Sequence, residues 1–184
     1  MQQAFDPQSV RRALRRIVSE IRVELSEEFD RNFERQAFFS EAWQRRKSPS
    51  RRSGGATLID TGTLRRSIRS IVKEDSITFT STVPYAAIHN EGGEITVTAR
   101  MKRYFWARHM AATGARRTRR DGSLRRDKRN ARLSAEAEFW RAMALKKVGS
   151  RIRIPRRSFL GFHPEVERKV RGIIERAIAE SLAE

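Results

Sequence analysis

The chain has 184 residues, of which 38% are apolar and 34% charged, with a formal net charge of +18 and no cysteine. That length supports one domain with a modest core, and the low apolar share calls for a solvated charged segment beside it. Disulfides and thiolate metal sites are excluded, no stretch approaches the roughly 20 apolar residues that span a bilayer, and the charge predicts attraction to polyanions or acidic proteins.

The opening MQQAFDPQSVRRAL has no apolar run of the signal-peptide kind, which fits a soluble protein of the cell interior. Asp6 as N-cap and Pro7 as first helical residue predict a long helix. Its apolar stripe is Val10, Leu14, Ile17, Ile21, Leu25, Phe29 and Phe33, in steps of three and four. Residues 1–40 carry 7 basic and 7 acidic side chains, so this helix adds nothing to the charge excess. RRKSPSRRSGGA (45–56) reads as a loop. LIDTGTLRRSIRS (58–70) reads as a short capped helix with Asp60 or Thr61 at its start and Leu64 and Ile68 on one face. Residues 69–83 read as a hairpin, with Ile77, Phe79 and Val83 on one parity and Glu74–Asp75 as the turn.

ITVTA (95–99) and RIRI (151–154) are two further short strands. Between them lies an insertion of about fifty residues whose two ends look helical. Tyr104, Phe105 and Trp106 are placed to pack on Phe139, Trp140 and Met143, as a helical-hairpin core or as an assembly surface. Residues 100–153 hold 18 Lys and Arg against 4 acids, a net of +14, so most of the chain's charge sits here. A terminal amphipathic helix after Pro164 carries Val166, Val170, Ile173, Ile174, Ile178 and Leu182. The expected fold is α+β: one domain over 1–184, a small mainly antiparallel sheet packed by long N- and C-terminal helices, with 100–150 as a basic helical insertion.

Three groups of residues invite a chemical reading. His89, within YAAIHNEGG, is a candidate base, and a nuclease using His89 and Glu91 would need a metal. The chain offers three histidines without metal-pair spacing and no acidic cluster to hold the ion. Tyr85, Ala86 and Ile88 read instead as an apolar helical turn, closed by Gly92 and Gly93, which permit a positive φ leading into the next strand. Asp60, Thr61 and Gly62 have the look of a phosphate-binding turn but lack the P-loop spacing, and a helix start explains them better. Arg116, Arg117, Arg119, Arg120, Arg125, Arg126, Lys128, Arg129 and Arg132 form a run able to contact DNA or a partner. Without an aromatic residue or a reading helix it points away from sequence recognition. The competing reading is a solvated loop that orders only on a partner. In IPRRSFLGF (154–162), Pro155 ends a strand and Gly161 relieves a turn. Arg156 and Arg157 read as contacts or as plain surface.

Taken together, LIDTGTLRRSI, VPYAAIHNEGG and IPRRSFLGF resemble the phage virion morphogenesis family, which includes tail completion proteins of Mu-like and related tailed phages. Leu58, Asp60, Thr61, Gly62, Leu64 and Ser67 match its first segment. Tyr85, Ala86, His89 and Gly92 match the second, and Pro155, Arg157, Phe159, Leu160 and Gly161 the third. The upstream helix and Trp43 also fit. The resemblance covers roughly residues 8–98 and 150–184, and shorter members lack the basic insertion. It implies a structural virion protein rather than an enzyme, with no cofactor, located at the head–tail junction or tail end and assembled in the host bacterial cytoplasm. Its implied partners are further copies of itself in a ring around the DNA channel, neighbouring neck, portal-adaptor or tail-tube proteins, and packaged DNA, with no membrane. His89 would then hold a local turn or a subunit contact. The rival expectation is a sequence-nonspecific nucleic-acid-binding protein that uses the basic insertion.

Overall fold

The computed structural model describes residues 7–47, 49, 55–73 and 76–183. The expected Asp6 cap, the Glu74–Asp75 turn, residues 48 and 50–54 of the arginine–serine loop and the side chain of Leu182 lie outside the described residues. In chain order the elements are α1 (Pro7–Arg35), β1 (Ala37–Phe38), β2 (Glu41–Ala42), α2 (Thr63–Arg66), β3 (Ile68–Lys73), β4 (Ser76–Ser81), α3 (Ala86–Glu91), β5 (Gly93–Thr96), α4 (Ala99–Gly114), α5 (Lys128–Ala144), β6 (Arg151–Ile154) and α6 (Pro164–Ala183). All strand pairs are antiparallel, and they form three two-stranded ribbons, β1–β2, β3–β4 and β5–β6. The architecture is α+β, with long helices at both ends. The residues group into two compact units. The first is built from α1 to Gln44, Gly55–Glu91 and Arg156 onward, and the second chiefly from Gly92–Pro155.

In the first unit the α1 stripe is buried only along its C-terminal part. Ile21, Leu25 and Phe29 meet Phe38, Phe39 and Ile173, and Ile77 and Phe79 of β4 pack on the same cluster. Phe29 and Phe79 meet edge to face at 4.9 Å. Val10 and Leu14 are exposed, as are Ile174 and Ile178 of α6. The stripe is continuous in sequence, but the ribbons reach only its second half. Helices α1 and α6 run antiparallel, as the ion pairs Glu24–Lys169, Glu20–Arg176 and Arg16–Glu180 record. Beneath them Glu28, 3% exposed, accepts from Arg31 at 2.6 Å and Arg35 at 3.0 Å, with the Lys169 ammonium 3.4 Å away. Burial alone would raise this carboxyl. The hydrogen bonds from Arg35 and Arg31 and the Lys169 charge outweigh it and hold Glu28 below the usual carboxylate range.

Two local expectations are corrected here. The segment 58–70 is helical only over Thr63–Arg66. Ile68 opens β3 and pairs with Ser81, because the strand register, not the i, i+4 spacing, decides its place. The β1–β2 ribbon went unforeseen, since two-residue strands carry no periodicity. The Asn32 carboxamide builds it by accepting from the amide of Phe39 at 3.0 Å, where the backbone turns through a positive φ of 53°.

In the second unit β5 and β6 pair from Gly93↔Ile154 to Thr96↔Arg151. The insertion between them is a hairpin of two helices. Thr98 caps α4 by accepting from Met101 N at 3.2 Å, and Asp127 caps α5 by accepting from Asn130 N at 2.7 Å. Phe105 and Trp140 stack at 5.9 Å over Ala144, with Met101, Phe139 and Met143 around them. The aromatic pairs therefore form a hairpin core through Phe105 and Trp140, whereas Tyr104 and Trp106 are exposed.

Candidate functional site

The three signature segments come together in the first unit, apart from Gly92, Gly93, Ile154 and Pro155, which belong to the second. Phe159 is their centre. It is 1% exposed and packs between Phe33 (5.3 Å), Trp43, Leu64 and Ala86. Burying such a ring contributes about 2–3 kcal/mol. Its backbone runs through the interior, so each polar group there needs a partner. Those partners come from distant elements. Asn90 Oδ1 of α3 accepts from the amides of Phe159 (2.9 Å) and Leu160 (3.0 Å). The Phe159 carbonyl accepts from Asn32 Nδ2 at 3.4 Å, and the Ser158 carbonyl accepts from Trp43 Nε1 at 2.7 Å. The Ser158 hydroxyl donates to the Asn90 carbonyl at 3.1 Å.

Arg157 is 6% exposed, which corrects its reading as surface or contact. Its amide donates to the His89 carbonyl at 2.8 Å, and its Nε donates to the Gln44 carbonyl at 2.8 Å. Burial lowers its proton affinity from the ordinary arginine value. His89 is half-buried, and its Nδ1 is enclosed without a hydrogen-bond partner. Tyr85 stands edge-on to the imidazole at 6.0 Å. Desolvation first, and the Arg157 charge second, hold the His89 pKa below its ordinary value, which favours the neutral ring.

The first segment forms the opposite wall. Leu58 adopts a positive φ of 65°, an uncommon state for a branched side chain. Gly62, not Asp60 or Thr61, is the N-cap of α2. It has φ 72° and gives no side-chain cap. A Cβ there would sit 2.6 Å from Arg66 Nη1. Thr61 closes the turn through its carbonyl, which accepts from Arg66 at 2.9 Å. Leu64 is buried. Ser67 ends the helix by donating to the Leu64 carbonyl at 2.7 Å, and its hydroxyl also meets that of Ser81 at 2.7 Å. Arg65 braces α2 on α1 through Asp30 and Glu34.

Leu58, Asp60, Thr61, Gly62, Leu64, Tyr85 and His89 line a pocket of about 130 Å³. Gly92, with φ 76°, lets the chain leave α3, and Gly93 begins β5. Pro155 follows the last β6 residue, and Gly161 has φ 138°. The other histidines are held by packing too. His163 stacks on Phe39 at 4.6 Å, and His109 Nδ1 bonds the Ala137 carbonyl at 2.9 Å. Among the described residues no group of three or more His, Cys, Asp or Glu is placed to hold a metal ion. None of their helices is long and apolar enough to cross a membrane.

Around Phe159 the polar groups bond one another and the backbone in a structural knot, while His89 Nδ1 stands outside it without a partner. The family model for the phage virion morphogenesis family matches residues 2–179, and the chain belongs to that family. Comparisons with curated proteins and with solved structures returned no match. Its role is therefore in phage particle morphogenesis, as a virion protein. Asn90, Asn32, Trp43 and Gln36 carry as much of the knot as the signature residues do. Gln36, for example, spans α1 and Thr57 by accepting from Thr57 N at 2.5 Å and donating to Phe33 O at 2.6 Å. A buried Asn beside an aromatic is no signal in one sequence, so Asn90, Asn32 and Gln36 were legible only once the fold was known, whereas Trp43 was marked by the resemblance.

Proposed function

We propose that this chain is a structural protein of a tailed phage or prophage particle. It acts at the head–tail junction or tail end, in tail completion or head–tail joining, as a homo-oligomeric ring around the DNA channel. The observation that carries the reading is the convergence of three family segments on Phe159, in a knot whose side chains are spent on bracing the chain. Such a subunit works by binding, with neighbouring neck, portal-adaptor or tail-tube proteins as its partners. A closed ring needs two complementary faces on each copy. The uncovered apolar residues of α1 and α6, Val10, Leu14, Ile174 and Ile178, supply surface for one of them. The test is removal of the gene from its phage followed by electron microscopy of the lysate. Separate heads and tails, or tails of faulty length, restored by the wild-type gene, support the reading. Intact infectious particles without the protein overturn it.

A further inference from the structure

The α4–α5 hairpin closes through residues 115–132, the most basic stretch of the chain, with eight arginines and one lysine against Asp121 and Asp127. This stretch is built rather than slack. Asn130 is 4% exposed. Its Oδ1 accepts from Arg117 N at 2.9 Å, and its Nδ2 donates to the carbonyls of Arg117 and Arg125, each at 2.7 Å. Arg125 N donates to Arg117 O at 3.0 Å, Arg119 N to Ser123 O at 2.7 Å, and Gly122 N to Arg119 O at 3.1 Å. Thr118 and Leu124 form a bridge across the loop. Both acids serve the loop's own structure. Asp121 accepts from the Ser123 amide and hydroxyl, and Asp127 caps α5. The side chains of Arg117, Arg119, Arg120, Arg125 and Arg126 are exposed around this frame.

The surface chemistry selects the partner. The fully buried core of a protein interface is depleted in charged residues, whereas this stretch is dense in them and Leu124 is its one large apolar residue. Nucleic-acid interfaces are polar and strongly positive, and the guanidinium fork matches phosphate oxygens better than an ammonium does. Single strands are held by stacking on aromatic rings, and residues 115–132 contain none. We infer that the tip of the α4–α5 hairpin binds the phosphate backbone of duplex DNA without reading its sequence, through Arg117, Arg119, Arg120, Arg125 and Arg126, with Asn130 as the residue that positions them. The inference rests on the hairpin alone and is independent of the ring reading. A negative result in the experiment below leaves particle assembly untouched, and a failure of assembly leaves it untouched in turn.

The experiment is fluorescence anisotropy of the full chain on a random-sequence duplex of roughly 30 base pairs, titrated between about 50 and 200 mM salt. Arg119, Arg120, Arg125 and Arg126 are changed together to Gln. The control is the equal charge loss at the far end of the unit: Arg141, Lys146, Lys147 and Arg153 to Gln. Counterion release predicts that the tip variant loses at least about tenfold in affinity at the low-salt end, and that its log–log salt slope falls by roughly 3–4. The control should change affinity less than about twofold. Asn130→Ala keeps every charge, and it should still weaken binding by about threefold if the frame positions the arginines. Equal losses in tip and control variants would make binding a matter of net charge and overturn the proposal. So would absence of binding at the low-salt end, tighter binding to single strands, or equal competition by polyglutamate. An unchanged Asn130→Ala affinity would overturn its positioning role.

Discussion

Asn90 and Phe159 are joined side chain to backbone across 69 residues: the Asn90 carboxamide oxygen accepts from the Phe159 amide at 2.9 Å, and from Leu160 at 3.0 Å. One short helix thereby fixes the strand of chain that carries the central aromatic plug. The polar residues of the second signature segment hold the third in place.

Asn90→Ala leaves two interior amides without their acceptor. Each such loss costs about 1–3 kcal/mol, so a destabilisation of roughly 2–4 kcal/mol is expected from urea unfolding of the purified chain. Asn90→Asp keeps the acceptor and should cost less. Equal stability of wild type and Asn90→Ala would remove the knot from the account.

Phe159→Ala empties a site that Phe33, Trp43, Leu64 and Ala86 surround. The expected cost is about 3–5 kcal/mol, seen as a large fall in the denaturation midpoint. Phe159→Leu should retain most of the stability, because it refills much of the volume.

The His89 environment sets a pH dependence. Its folded pKa lies below the ordinary 6.5 through burial and then the Arg157 charge. Above about 6.5 both states are neutral and the contribution is whole. As pH falls below that value the unfolded chain takes up the proton first, and stability drops until the folded-state pKa is passed. The urea midpoint should therefore decline between about pH 7.5 and 5.5, and His89→Gln should flatten that decline. Glu28 acts in a separate, more acidic window. Its folded pKa lies below 4.5, so its contribution is complete above 4.5 and fades as pH falls further. A flat wild-type profile from 7.5 to 5.5 would contradict a desolvated imidazole favoured in its neutral form.

Gly62→Ala places a side chain where φ is 72° and where Arg66 already lies against the backbone. The arginine end can move, so the backbone term dominates, at about 1–2 kcal/mol. Calorimetry should show a Tm lowered by several degrees for that cost. Gly114→Ala, at the last residue of α4 and with nothing near its would-be Cβ, should be neutral or slightly stabilising.

The long helices were legible because their apolar stripes repeat over many turns. The core ends of those stripes, Phe29 and Phe33 in α1 and Ile173 in α6, are where the structure buries them. Strand β4 was legible from Ile77 and Phe79, and the breaks at Pro155 and Gly161 from residue chemistry alone. What stayed hidden was long-range. Ile68 fits a helix face by spacing, yet it is a strand residue because Ser81 lies opposite. Arg157 looks like surface in a row of arginines, yet it is buried because Gln44 and His89 supply carbonyls to it. The basic tip looked structureless because it lacks an apolar face. Its order comes from backbone bonds across the loop and from the carboxamide of Asn130, which no pattern marks.

The most direct test of the central claim is cryo-electron microscopy of particles from the phage that encodes this protein. The account predicts a ring of copies at the head–tail junction or tail end, with Phe159 and its knot inside each subunit. Particles in which the protein is absent from both places, or present there only as isolated copies without a ring, would contradict it.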